Sequence, residues 1–315
     1  MIRVLYTTYE RFYVTVLHIP VSMNASPEEE GRSLAFGGQA LIEGVMMRSG
    51  SHAVMCVRQP NGGISTHVET VNSLTKKNAV LGLPFLRGII MLFETMYFGM
   101  KSIFHSANVA LEEEEEQFTW KEYLLVIVMV VIMSGFFMVV PFLLTNVLGL
   151  TGFWFNIAEA GIRLLFFGSY LYLVSRWGEF QRVLMYHGAE HKTINTFEAG
   201  EELTVENVAR HSRLNPRCGT SFLFIVVLMS IAFFSLIPKV DFYTKILYRI
   251  ILIPALGGVS YELLKLSAKY HDSPVMKVIT IPGLAFQKLT TKEPEDDMLE
   301  VAIKALQEVI RLSKA

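Results

Sequence analysis

Four long apolar segments limit what this chain can fold into. Residues 123–144 carry no charge, and residues 153–175 hold only Glu159 and Arg163. Residues 221–237 are short but uncharged, and residues 246–264 hold Arg249 and Glu262. A bilayer core of about 30 Å is crossed by roughly 20 helical residues, so each segment reads as a transmembrane helix. Trp120, Trp154, Trp177, Tyr243 and Tyr248 flank the segments, where interfacial aromatics belong. Apolar residues make up 52% of the 315, and their concentration in blocks argues against an ordinary soluble enzyme. The net charge of -1 offers no broad basic field, which argues against nucleic acid as a partner.

Charge placement orients such a bundle. Residues 176–219 carry Arg176, Arg182, Lys192, Arg210, Arg213 and Arg217, whereas the opposite turns carry only Lys239 and Lys245. The positive-inside rule then puts this region and both termini in the cytoplasm of a multi-pass plasma-membrane protein. Residues 80–105 form a further helical pattern with Arg87, Glu94, Lys101 and His105 on one polar stripe. Such a helix lies in the interface, re-enters the membrane, or packs its charges against the bundle. Two strand-like runs, 52–59 and 64–71, flank Pro60-Asn61-Gly62-Gly63 and predict a hairpin. Residues 295–314 predict an amphipathic helix with acids first and bases last.

The expected fold is therefore an all-α polytopic membrane protein of about four transmembrane helices, one interfacial or re-entrant helix and a small cytoplasmic β-hairpin. Its parts are a flexible segment (1–35), a glycine-rich loop with the hairpin (36–79), and the amphipathic helix (80–110). Transmembrane pairs (120–175 and 221–264), a cytoplasmic His-rich loop (176–220) and a cytoplasmic tail (265–315) complete it. The glutamate run 112–116 reads as a solvated linker. The lipid bilayer is the expected partner, with self-association into a homo-oligomer a candidate second.

His187-Gly188-Ala189-Glu190-His191 carries the strongest chemical signal. On a helix, His187 and His191 fall on one face at i and i+4, where two imidazoles can share one metal ion, zinc above all. Glu190 completes the H-x-x-E-H order of inverted zinc hydrolases and would be the general base. A third ligand is needed, with His211 and Glu262 as candidates. If His187, His191, His211 and Cys218 all bind, the shell is closed and the metal is a structural staple. Cys218 also reads as a small buried residue, and Glu262 as a helix-end carboxylate beside Lys265. Glu43, in its glycine-rich stretch, is a candidate acid or ligand, or a turn cap. Glu159 and Arg163, at i and i+4, neutralise each other or line a path. Two cysteines, Cys56 and Cys218, are too few for a disulfide framework.

Four ordered motifs resemble the YqhQ-like family: residues 38–48 (GQALIEGVMMR), 187–192 (HGAEHK), 211–222 (HSRLNPRCGTSF) and 289–294 (LTTKEP). The resemblance extends from about Phe36 to the end. It implies a bacterial membrane protein with a metal-dependent activity and names no substrate. Residues and resemblance together predict a metal-dependent hydrolase at the cytoplasmic membrane face, acting on a membrane-proximal peptide, amide or lipid bond. The alternative is a transporter, channel or scaffold whose metal only organises the loop.

Overall fold

A computed structural model describes residues 36–111, 120–216, 218–238, 240–269 and 273–314. The N-terminal segment 1–35 and the glutamate run 112–116 lie outside the described residues. Two runs, Gly44–Ser49 (GVMMRS) and His52–Arg58 (HAVMCVR), are apolar at successive positions rather than alternating. Strands of that kind suit the middle of a sheet that is covered on both faces. They form β2 and β3 of an antiparallel meander whose outer strands are β1 (Phe36–Leu41) and β4 (Ile64–Thr70), in the order β1-β2-β3-β4. Register pairs Val45 with Cys56 and Met47 with Val54, and between them Met46 with Met55. One face therefore presents Val45, Met47, Val54 and Cys56, and the other Leu41, Met46, Ala53, Met55 and Val57. Ile42 and Glu43 turn the chain from β1 to β2, with Glu43 at φ +50°.

The remaining elements are helices: α1 (Leu74–Lys77), α2 (Leu86–Leu111), α3 (Trp120–Val147), α4 (Gly152–Val174) and α5 (Gly178–Ala199). After them come α6 (Val205–Arg210), α7 (Thr220–Ser235), α8 (Phe242–Lys269), α9 (Pro274–Thr290) and α10 (Asp296–Lys314). The first face of the sheet is closed by α5, α6 and α10, which contribute Tyr186, Ala189, Ile194, Val208, Met298, Val301, Ala305 and Leu306 to the core. Full burial of each Val, Ile, Leu or Met among these stabilises by about 1.5–3 kcal/mol. Asp296 and Asp297 begin α10, and Arg311 and Lys314 end it, as the helix dipole favours.

The second face is covered by α2 through Phe98, with Val109 and Ala110 at its margin. The polar stripe of α2 finds partners along its length. Arg87 pairs with Glu262 at 2.5 Å and Lys101 with Glu69 at 2.5 Å. Glu94 accepts from Ser73 Oγ at 2.7 Å and from the Leu74 amide at 2.6 Å, and His105 lies against His67 with ring centroids 4.5 Å apart. Thus α2 joins the sheet to the helical layer, packing on α8 as well.

That layer contains α3, α4, α7, α8 and α9, with α9 against α4 and α7. Glu159 is buried between two guanidiniums, hydrogen bonded to Arg163 at 2.5 Å and to Arg249. Arg249 is stacked over Phe142 and Phe234, 4.5 Å from each ring centroid.

The all-α, four-span expectation is overturned. The hairpin is half of a four-stranded sheet with a core on each face, so the chain is α+β. Among the described residues two helices, Gly152–Val174 and Phe242–Leu266, are long and apolar enough to cross a membrane. Within α3 and α7 the apolar stretches Val131–Val147 and Phe224–Ser235 are shorter than those two. Residues 221–237 in particular yield the 16-residue α7, roughly 24 Å long at 1.5 Å per residue. The glycine-rich loop at 37–48 is β1 and β2, and the tail contains a second helix, α9.

Candidate metal centre

The region read as a loop is chiefly α5, a 22-residue helix ended by Gly200 at φ 75°. Tyr186, Ala189 and Ile194 fasten it to the core. This leaves His187, Glu190 and His191 on a neighbouring face at i, i+3 and i+4. Gly188 permits the approach of a second segment. A Cβ there would run into the backbone carbonyl of Lys292, so residues 290–294 lie directly on the helix. The Lys292 amide donates to Leu184 O at 2.9 Å, and Thr290 O accepts from His187 Nδ1 at 2.8 Å.

The stretch 211–219 returns along the same helix. Arg213 O accepts from His191 Nδ1 at 2.7 Å, and Asn195 Nδ2 donates to Ser212 O at 2.7 Å. A buried reciprocal pair ties this stretch to α9. The Asn215 amide donates to Gln287 Oε1 at 2.8 Å, and Gln287 Nε2 donates to Asn215 O at 2.7 Å. Arg213 also donates to Thr291 O, and Glu293 lies 2.9 Å from Lys192 and 3.3 Å from Arg213.

This framework brings together His187, His191 and Cys218, whose ligand atoms all lie within 4.8 Å of one another. A carbonyl can only accept, so each Nδ1 carries the proton and each Nε2 keeps its lone pair for another partner. His187 Nε2 is 3.4 Å from Cys218 Sγ, and His191 Nε2 is buried with no hydrogen-bond partner. Metal-binding histidines are oriented in this way, with the distal nitrogen donating to a carbonyl. Tetrahedral zinc, with bonds of about 2.0–2.3 Å, sets its ligand atoms roughly 3.3–3.8 Å apart, close to the spacing seen. The donor set therefore fits such an ion.

Glu190 lies beside this cluster. Its side chain packs on Gly38 of β1, where a Cβ would meet Oε1 at 2.5 Å, and its Oε2 is buried without a partner. Burial pushes its carboxyl up to about 7, moderated by His187.

The other residues read from the sequence lie elsewhere. His211 caps α6 and pairs with Glu201 at 3.2 Å, outside the cluster. Glu262 is held by Arg87 at 2.7 and 2.5 Å. Glu43 receives a bidentate pair from Arg182 at 2.5 and 2.6 Å and a hydrogen bond from Tyr186 at 3.3 Å. The Arg182 guanidinium holds the Glu43 carboxyl below its ordinary value, against a smaller opposing effect of burial. Glu43 thereby clamps the β1–β2 turn to α5. Sequence reasoning missed Thr290, Arg213, Gln287 and Gly188, which act through backbone contacts between distant segments. Arg213 and Thr290 lay inside the HSRLNPRCG and TTKEP motifs and Gly188 inside HGAEHK, whereas Gln287 lay in none of them.

Two comparisons with known proteins bear on this arrangement. The uncharacterised protein YqhQ of Bacillus subtilis (strain 168) is 36% identical over 295 residues, covering 88% of this chain and 93% of its own. No solved structure matches. Residues 83–312, which hold all three clustered side chains, match the family described as protein of unknown function DUF1385, and the chain belongs to that family.

Proposed function

We propose that His187, His191 and Cys218 hold one divalent metal ion, zinc by their donor chemistry, and that the protein is a metal-dependent hydrolase at a membrane surface. The observation carrying this reading is the pair of imidazoles oriented by Thr290 O and Arg213 O, with Cys218 Sγ 3.4 Å from His187 Nε2. Among the described residues no fourth histidine, cysteine or carboxylate joins the cluster, because His211 is engaged by Glu201. Three protein ligands and an open position are the pattern of catalytic zinc. A bound ion would act as a Lewis acid on a carbonyl or phosphoryl oxygen.

Glu190 supplies what the ion cannot. Its buried, unpartnered carboxylate neighbours the cluster and is outside the ligand set, as a general base must be. It would take the proton of the attacking water and pass it to the leaving group. The membrane setting is supported by the two long apolar helices, whose windows are only 11% and 22% buried. Helices so exposed are unlike the core of a soluble protein and call for an apolar surrounding. The six bases within 176–219 favour a cytoplasmic position for the site.

Glu190→Gln tests this reading. It should keep metal and thermal stability and fail to complement a strain lacking the gene. A structural site, which a thiolate ligand would also suit, predicts full complementation, and that result would replace the hydrolase with a scaffold.

A further inference from the structure

A half-open cavity of about 710 Å³ lies among α3, α4, α7, α8 and α9. Its wall includes Met133, Phe137, Phe167, Val227, Leu256 and Phe286. Among the described residues Arg163 is the single charged one in the lining, and its guanidinium is engaged by Glu159 at 2.5 Å and Ser230 at 3.3 Å. Water needs two to four polar partners to settle in such a space, and this wall offers few. The volume falls within the range of roughly 300–1,000 Å³ common to small-molecule sites.

The cavity and the framework of the candidate metal centre share one residue, Thr290. Thr290 lines the cavity, and its carbonyl holds the ring of His187. Arg163 and Phe234 also line it, with the guanidinium 5.9 Å from the ring centroid. Phe167 and Phe286 in the wall have ring centroids 6.1 Å apart. Methionines 129, 133 and 138 give the wall an adaptable surface, suited to a chain without fixed shape.

We propose that this cavity binds the hydrocarbon tail of a single-chain amphiphile, with its carboxylate or phosphate-ester head at Thr290 beside the metal centre. The divalent ion of the proposed function supplies the charge that matches such a head, so the inference rests on that reading. The tail runs from Thr290 toward Phe234, and the finite apolar length of the cavity sets how many methylenes it can cover.

The experiment uses the full chain purified in detergent and two probe series of graded length, fatty acids and lysophosphatidic acids. Affinity should rise about fourfold per methylene until the cavity is full and then stop rising. Partition into micelles has no such stop, so a rise without a maximum would overturn the proposal. Val227→Trp and Leu256→Trp should shift the maximum to shorter chains while metal content stays unchanged. Should these variants fail to fold, a photoreactive group at the chain end decides with the wild-type protein. Labelling near Phe234 supports the proposal, and labelling confined to outward residues such as Leu165 overturns it. The better-bound series identifies the head group. His191→Ala separates the two readings. It should keep the length maximum and lose the preference for an anionic head. A length maximum in a protein that never held metal would sink the metal reading alone.

Discussion

Replacing Gly188 with alanine tests how residues 290–294 support the centre. On an ordinary helix this change would be favourable, since alanine exceeds glycine in helix propensity by about 1 kcal/mol. Here the new methyl group meets the Lys292 carbonyl, a backbone atom that can move only if the whole segment lifts. Overpacking of that kind costs about 1–3 kcal/mol. Lifting also breaks the bonds from the Lys292 amide to Leu184 O and from His187 Nδ1 to Thr290 O. Each is worth about 0.5–1.5 kcal/mol net. The balance is a loss of roughly 1–5 kcal/mol where a simple helix would gain. Loss of the carbonyl that orients His187 should weaken metal binding by about 10–100-fold. Thermal unfolding with and without zinc, together with competitive metal titration, measures both effects. A Gly188→Ala protein as stable as wild type, with unchanged metal affinity, would refute the reasoning.

Other perturbations separate the remaining contacts. Arg182 holds the Glu43 carboxyl below its usual value of 4.5, so the stabilisation is complete above that pH and lost as pH falls through the lower folded value. Glu43→Gln should flatten the acid side of a stability–pH profile at a neutral-pH cost of roughly 1 kcal/mol, and an unaltered profile would count against the clamp. Glu159→Leu leaves two buried guanidiniums and should cost about 3–5 kcal/mol, whereas Arg249→Met leaves the balanced Glu159–Arg163 pair and should cost less. Melting temperatures in the reverse order would contradict that account. His211→Ala should leave metal content unchanged, because its imidazole pairs with Glu201; metal loss in elemental analysis would return it to the ligand set.

Local periodicity revealed some of this molecule and long-range pairing hid the rest. The C-terminal amphipathic helix and the i, i+4 placement of His187 and His191 follow from a 3.6-residue repeat, which the sequence displays directly. β3 and β4 were legible as a hairpin, whereas β2 was obscured because both of its faces are buried and its apolar residues do not alternate. Gly44–Ser49 then reads as a featureless apolar stretch. The polar stripe of α2 was visible, but its partners Glu69, Ser73 and Glu262 lie on separate segments that only the fold assembles. Apolar length alone overstated the number of membrane crossings, since α7 is as apolar as a crossing helix and too short to be one. Cys218 was legible as a candidate donor through its motif. Its approach to His187 depends on the buried Asn215–Gln287 pair, which sequence does not announce.

The central claim is that one ion binds between α5 and the stretch ending at Cys218. Elemental analysis of the purified protein tests it directly, with His187→Ala, His191→Ala and Cys218→Ala measured beside wild type. The account predicts close to one zinc per wild-type chain and a large loss in each of the three variants. A wild-type protein that neither retains nor takes up zinc or another divalent transition metal would contradict it, as would full occupancy in a protein lacking both histidines.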